Sequence, residues 1–468
     1  MSLNATAVLP VRAPGKRLVA TLLATEILAV VLGIVFPGLT LMGLGAIMGL
    51  AFLVVFVPTR PEIFYTLVIA TSALDYFGTI SSFGDYSVTC FHVALLLTIV
   101  SYVTHSVLNR RWEFPSTGFN APFLAFWGLA VFSLFYSADP RAGAIEVVRL
   151  LFLGVLFFLT VLIVRSKPKM QWMVFLLLLT VVAMSVIATY QLVANKDFLP
   201  SEFASRFGHG VNRSEGTFAN ANWLAAFVMI GTIVGFSFLL NYSRSPWKKL
   251  LVVGVVASST LALLASFSRS GWLSVAVGIA LVAFLSGKLR SSLRLLPLVL
   301  LCILVLLLMF PHPETYTSRL TSMFELGASN ASRIYLAISG LWIFLDHPLL
   351  GVGLRSFPAV YQKSYIHPDM PLLGVVESHT LPIEVLAELG IVGFLLLIWL
   401  FYSVVREASV TIRTSKDGYL RALQIGLLSS FLALMVNNLF SNNLGDNFLW
   451  IVMGLIFAAR RIAARSDS

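Results

Sequence analysis

The sequence predicts an all-helical, polytopic integral membrane protein, and three observations carry that prediction. Of its 468 residues, 58% are Ala, Val, Ile, Leu, Met, Phe, Trp, Tyr or Cys, and only 11% are charged. Mean hydropathy is +0.90. A soluble domain carries roughly a quarter charged residues, so a soluble globular enzyme is excluded. With 2 cysteines and 36 phenylalanines, the chain is neither a disulfide scaffold nor a disordered polymer, since the latter lacks apolar residues to bury.

A helix must bury about 20 apolar residues to cross a hydrocarbon core of roughly 30 Å. Uncharged apolar stretches of this kind run Leu18 to Phe36, Leu39 to Val57, Ile63 to Ile80, Val88 to Leu108, Phe119 to Tyr136, Ala142 to Val164 and Met170 to Ala194. They continue Trp223 to Leu240, Leu250 to Phe267, Trp272 to Leu285, Leu295 to Phe310, Leu381 to Val405, Ala422 to Phe440 and Phe448 to Ala459. Pro37 and Gly38 separate the first two, and the stretches from Trp272 and Phe448 are short enough to be partial spans. The expectation is twelve to fourteen transmembrane helices.

The net charge of +11 raises the question of nucleic acid, and charge placement answers it. With alternate connections assigned to the cytoplasm from the N-terminus, roughly two thirds of the Lys and Arg fall on the short inner connections. That is the positive-inside pattern with both termini cytoplasmic, and inner clusters such as Trp247-Lys248-Lys249 suit anionic headgroups. The first apolar stretch ends in Phe36-Pro37-Gly38 without a small-x-small cleavage site, so the N-terminus is expected to stay. Cys90 and Cys302 lie in separate apolar stretches and read as two buried small hydrophobes. The expected organisation is a cytoplasmic N-terminus (1–17), a transmembrane bundle (18–310) with an outer loop at 195–218, an outer cap (311–380) containing an amphipathic helix, C-terminal transmembrane helices (381–460) and a cytoplasmic tail (461–468).

Ionisable residues deep in a span are costly unless they serve a pathway. Glu26, Asp75, His92, His105, Glu146 and Arg149 are the main ones. Glu146 and Arg149, three apart on one helix face, account for each other as an ion pair, with Arg149 also open as the liner of an outward cavity. The informative polar residues sit outside, in 195–218, in Ser266-Phe-Ser-Arg-Ser-Gly271 and in 311–380, with His209, His312, His347, His367 and His379.

Within the cap, Asn330-Ala-Ser-Arg333 is read as the start of an amphipathic helix. Asn330 is its N-cap, Ile334, Ile338, Leu341, Trp342 and Leu345 form one stripe, and Pro348 is its end. Arg333 in a first turn, beside unpaired N–H groups, suits a phosphate; Glu325 is its alternative partner. Arg269, between Ser268 and Ser270, faces water, headgroups or an anionic ligand, and Arg213 is a third candidate, although Glu215 offers it a local partner. His379 precedes a span that Thr380 can cap and Pro382 can open. An ordinary pKa of about 6.5 suits an imidazole to general-base work, and Glu377 or Glu384 is placed to orient it; the bland alternative is a surface histidine. Gly351-Val-Gly-Leu-Arg-Ser356 lacks the third glycine and the preceding strand of a dinucleotide site, and no spacing of a zinc site occurs. Arg149, Glu377 and Arg355 complete the candidate set as supporting residues, with no metal ligand among them.

The chain resembles the O-antigen ligase and polymerase superfamily of bacterial envelope glycosyltransferases. The likeness rests on Arg213-Ser-Glu-Gly-Thr-Phe-Ala-Asn-Ala-Asn222, Ser268-Arg-Ser-Gly271, Ser332-Arg-Ile-Tyr335 leading into His347-Pro-Leu-Leu-Gly-Val-Gly353, and Ser378-His-Thr380 followed by Glu384-Val-Leu-Ala-Glu-Leu-Gly390. It covers roughly 213–400. The resemblance implies a GT-C-like enzyme of the Gram-negative inner membrane with a periplasmic active site. It would transfer a glycan from undecaprenyl diphosphate to a hydroxyl of a lipid A-core acceptor in lipopolysaccharide biosynthesis, without a metal or other cofactor and with inversion. His379 then corresponds to the family's essential histidine, and Arg269 and Arg333 to its paired arginines. Family members usually have twelve spans. An O-antigen polymerase or protein O-oligosaccharyltransferase of the same superfamily is the near alternative, and a lipid-linked glycan transporter or flippase the distant one.

Overall fold

The computed structural model describes residues 60–74, 78–83, 86–194, 213–242, 245–292, 328–370, 378–442 and 444–466. The expected spans Leu18 to Phe36, Leu39 to Val57 and Leu295 to Phe310 lie outside them, as do Glu26, Asp75, Cys302, Glu325, Glu377, His209 and His312. The chain divides into two compact units, one of Met1–Phe64 and Leu95–Trp112, the other of Tyr65–Ala94 and Glu113–Ser468.

In chain order the described elements are α1 (Pro61–Thr71), β1 (Thr79–Phe83), β2 (Tyr86–Thr89), α2 (Cys90–Leu108), α3 (Asn120–Ser133), α4 (Pro140–Ile163), α5 (Lys167–Ala194), α6 (Ala221–Asn241), α7 (Pro246–Ala265) and α8 (Arg269–Leu285). They continue with the single turn α9 (Leu289–Ser292), then α10 (Ala328–Asp346), α11 (Phe357–Ser364), α12 (Leu381–Thr414), α13 (Gly418–Asn437) and α14 (Asn447–Ser466). Among the described residues, eight helices are long and apolar enough to cross a membrane: α2, α4, α5, α6, α7, α12, α13 and α14; α1, α3 and α8 are apolar but shorter.

Several expectations are revised. The stretch Ile63 to Ile80 is not one span: α1 stops at Thr71 and the chain enters an antiparallel hairpin pairing Thr79 with Thr89 and Phe83 with Tyr86. Thr79-Ile-Ser-Ser-Phe83 and Tyr86-Ser-Val-Thr89 are rich in β-branched, aromatic and hydroxyl residues, which favour a pleated strand. The short stretch from Phe448 is no partial span, because α14 continues through Arg460 and Arg461 to Ser466. Charges ended the apolar run without ending the helix, since arginine is a good helix former. Cys90 is a half-buried free thiol at the start of α2 rather than a fully buried one.

The larger unit is organised around α6, which is buried along most of its length and packs against α5, α7, α8 and α13. Helices without a hydrophobic drive between them associate through small residues that let backbones approach. Here a β-carbon added at Gly426 of α13 would lie 3.0 Å from the Val234 Cα of α6, and one at Gly278 of α8 would lie 2.4 Å from the Ile233 side chain. A second layer joins α4 to α14 through Phe119, Phe157 and Phe457, with Phe119 and Phe157 stacked at 3.8 Å.

Two ends of this bundle matter. At one, Arg165 pairs with Glu113 (2.9 Å), Lys167 with Asp417, Arg460 with Glu407 (3.7 Å) and Arg461 with Glu113 (3.6 Å). At the other stand the N-termini of α6, α8 and α12 and the C-terminus of α13, with the candidate residues.

Candidate functional site

The turn before α8 is built by its own serines. Phe267 takes a left-handed backbone (φ +48°), and Ser268 then accepts from the Gly271 N–H as the N-cap of α8. This places Arg269 at the first helical position. The N-cap of α6 is Asn220, whose side chain accepts from the N–H groups of Asn222 and Trp223.

Asn222 joins the two. Its Oδ1 accepts from Arg213 (3.0 Å) and from the Ser268 hydroxyl (2.9 Å). Arg213 also donates from Nε to the Ser266 carbonyl (3.0 Å). Its guanidinium is therefore engaged in bracing two turns, through Ser266 and Asn222. Ser270 lies 3.3 Å from Ser268 and accepts from Asn437 of α13 at 3.3 Å. Next to Asn437, the Asn438 carbonyl accepts from the Leu381 N–H (3.0 Å), which seats the His379 turn at the same place.

The His379 turn is itself unusual. His379 has φ +55°, a region few non-glycine residues occupy. Neighbouring atoms hold it: the Ser378 hydroxyl donates to Glu384 Oε2 (2.8 Å), and Asn442 donates to Glu384 Oε1 (2.8 Å). Thr380 occupies the N-cap position of α12, but its hydroxyl makes no capping bond, contrary to expectation; Pro382 opens the helix as expected. Of the four non-glycine residues with positive φ among the described ones, Phe267, Arg355 and His379 all border these turns. Strain of this kind persists only where its surroundings over-determine it, and it concentrates at functional sites.

Arg355 approaches the same carboxylate, with NH1 3.8 Å from Glu384 Oε1. Its backbone N–H donates to Glu388 (2.8 Å), as does that of Phe357 (3.0 Å). The loop that carries Arg355 docks on a break in α12 at Gly390 (φ +63°). The Val352 and Gly353 N–H groups donate to the Ala387 and Glu388 carbonyls, and the Ile391 and Val392 N–H groups donate to Pro348 and Leu349. A β-carbon on Gly351 would meet the Glu388 backbone at 2.3 Å, and one on Gly390 would meet Leu349 at 2.3 Å. Backbone against backbone at this distance, with positive φ on both sides, requires glycine.

Helix α10 brings Arg333, and it differs from expectation in its start. The helix opens at Ala328, so Asn330 is inside it and Arg333 lies in the second turn rather than the first. Ala328 readily extends a helix. Arg333 is thereby set back from the free N–H groups of the first turn, and its guanidinium alone remains to meet an anion. Arg333 is half-buried and, among the described residues, has no hydrogen-bond or ion-pair partner. Burial, and after it the Arg269 guanidinium, hold its pKa below the usual arginine range; arginine nonetheless stays charged in proteins. Arg269 and Arg333 are thus within electrostatic reach of each other, a like-charged pair that an anion would relieve.

Arg149 is held by Glu146 (3.5 Å) and by the Gly445 carbonyl (3.0 Å). The site residues that sequence reasoning left without a role are Asn222, Asn437, Asn438 and Asn442. Their signal is visible in retrospect: Asn437-Asn438 and Asn442-Asn443 put amides at the end of an apolar span, where each needs a partner. Among the described residues no group of three His, Cys, Asp or Glu side chains is disposed to hold a metal ion.

Compared with known proteins, residues 253–398 match the family described as O-antigen ligase. That segment contains Arg269, Arg333, Arg355, His379 and Glu384. No curated protein matches the chain.

Proposed function

Because residues 253–398 match the O-antigen ligase family, whose members are glycosyltransferase-like enzymes, we propose that this chain is an O-antigen ligase of the O-antigen ligase and polymerase superfamily. It transfers a glycan from undecaprenyl diphosphate to a lipid A-core hydroxyl at the periplasmic face of the inner membrane. The observation that carries this reading is that Arg333 lies within electrostatic reach of Arg269, on a turn that Asn437 and Asn438 tie to the strained His379 turn.

The diphosphate is already a good leaving group, so the reaction calls for stabilisation of the charge that develops as the bond breaks. Arg269 and Arg333 supply it, an effect worth several kcal/mol at a water-poor site. His379 accepts the proton of the acceptor hydroxyl while that oxygen attacks the anomeric carbon. The bond from that carbon to the phosphate oxygen breaks, its electrons leave on the diphosphate, and configuration inverts. Glu384 holds the His379 turn through Ser378. The binding and proton steps each fall to this chain's own side chains.

The test is deletion of the gene with complementation. A ligase deletion leaves polymer stranded on the lipid carrier and bare core, restored by the wild-type chain and not by His379→Ala. A core bearing a single repeat unit would instead identify a polymerase and overturn the ligase assignment. Purified protein that moves lipid-linked glycan across vesicles without forming a glycosidic product would overturn the enzyme reading altogether.

A further inference from the structure

The stripe on α10 does not do what an ordered cap requires of it. Leu336, Ser339, Gly340 and Ile343 face inward, toward Phe357, Ile383 and Ala387. Ile334, Leu341, Trp342 and Leu345 face outward, with Leu345 68% exposed, and the loop that follows adds Leu349, 67% exposed. Exposed apolar surface of this extent marks a site of interaction, and the backbone identifies the partner.

Leu349 is pinned to α12 at the break: its carbonyl accepts from the Val392 N–H at 3.3 Å. Val392 begins the exposed apolar stripe of α12 that continues through Leu395, Ile398, Trp399 and Tyr402. The charge-free run Leu389–Val405 is about 25 Å long at roughly 1.5 Å per residue, which matches a hydrocarbon core of about 30 Å. Gly390 and Val392 therefore lie at one border of that core, and Leu349 lies beside them. The outward leucines of α10 and its loop are continuous with the lipid-facing side of a span, at the depth where hydrocarbon gives way to headgroups. Trp342, stacked on His367 with ring centroids 5.3 Å apart, is of the type enriched at that border.

We propose that α10 is an interfacial membrane helix, seated in the leaflet on the His379 side by Leu341, Trp342, Leu345 and Leu349, rather than part of a cap surrounded by water. Its consequence, which rests on the donor chemistry proposed above, is that Arg333 is held at the level where a lipid-linked diphosphate presents its phosphates. Amphipathic helices bind interfaces through such an apolar face, and here the helix is also anchored to a span.

The experiment measures depth and needs no activity. Leu345→Cys and Leu349→Cys are made in a chain with Cys90→Ser and Cys302→Ser, spin-labelled, and reconstituted in nanodiscs of phosphatidylethanolamine and phosphatidylglycerol. Power saturation should give greater accessibility to oxygen than to a water-soluble nickel chelate at both positions, as at the control Leu395→Cys. Greater nickel accessibility at both positions would overturn the proposal, and so would shielding from both reagents, which would mean a second copy or another segment of the chain covers the face. In a separate arm, the double variant Leu345→Glu with Leu349→Glu should raise KM for a membrane-presented donor by about tenfold while sparing turnover of a short-chain soluble analogue. If the wild-type chain shows no transfer at all, the proposed function fails while the depth result stands.

Discussion

The two ends of the larger unit differ in one pair of arginines. At one, every cation named above has an acid: Arg165 and Arg461 share Glu113, Arg460 meets Glu407, and Lys167 meets Asp417. At the other, Arg269 and Arg333 repel each other, and Arg333 has no anionic partner among the described residues. Both ends carry basic residues, so charge alone does not mark function. A satisfied cation closes a fold; a half-buried cation set against another cation lowers its energy when an anion arrives. The tension is local, and the surrounding amides and serines are spent on holding the turns.

The contrast breaks most visibly at His379. His379→Ala should reduce transfer by about 100- to 10,000-fold, with donor binding retained, as measured by product formation and by binding of lipid-linked glycan to the purified variant. An active variant would remove His379 as the base. Next comes Arg333→Ala, expected to cost about 100-fold or more in kcat/KM through lost diphosphate stabilisation, with Arg333→Lys recovering only part, because an ammonium does not reproduce a planar fork of donors. An equal loss on Arg460→Ala, at the paired end, would show that the two ends do not differ in the way argued.

How far the sequence disclosed this depends on whether the relevant partner was local. Apolar runs bounded by charges located α4, α5, α6, α7 and α13 closely, because a span is a property of consecutive residues. The serine turn at Ser268 and the proline at 382 were also local, and both are where the sequence put them. What escaped was non-local. The hairpin Thr79–Thr89 hid in a stretch that hydropathy merges with α1. The break in α12 hid at a single Gly390 inside an apolar run, and only the loop from Pro348, far along the chain, explains it. Arg213 looked like Arg333 in sequence; its partners Ser266 and Asn222 come from the turns it braces. Glu384 was legible as a neighbour of His379, but its tie to Asn442 crosses two helices.

Smaller effects sharpen the same contrast. Glu384→Ala frees Ser378 and Asn442 and loosens the His379 turn, so kcat should fall about tenfold, since misplacement of a catalytic group is costly. KM for the donor should stay near its wild-type value, and Glu384→Gln should recover part of the rate. Loss in KM alone would argue that Glu384 contacts the donor side instead. Arg213→Ala should act on stability, by about 1–3 kcal/mol for the buried Ser266 carbonyl left without its donor, read as a lower Tm in detergent. A donor KM that rises with Tm unchanged would make Arg213 a ligand of the diphosphate rather than a brace.

The smallest effect belongs to the paired end. Asp417 accepts from the Tyr419 and Leu420 N–H groups as the N-cap of α13 and pairs with Lys167. Burial by itself would raise its carboxyl, but the Lys167 hydrogen bond and charge and the two N–H groups outweigh burial and hold it below its ordinary value of 3.8. A depressed folded-state pKa means the stabilisation is complete above that ordinary value and is lost as pH falls through the folded one. Asp417→Asn keeps the cap but not the charge, and should cost no more than about 1 kcal/mol near neutrality. Its Tm deficit against the wild-type chain should hold steady from pH 7 down to pH 5 and close as the pH drops below about 4. A deficit that persists in acid would place the contribution in the shape of the cap and not in the ion pair, and the paired end would then owe its order to hydrogen bonding rather than to charge.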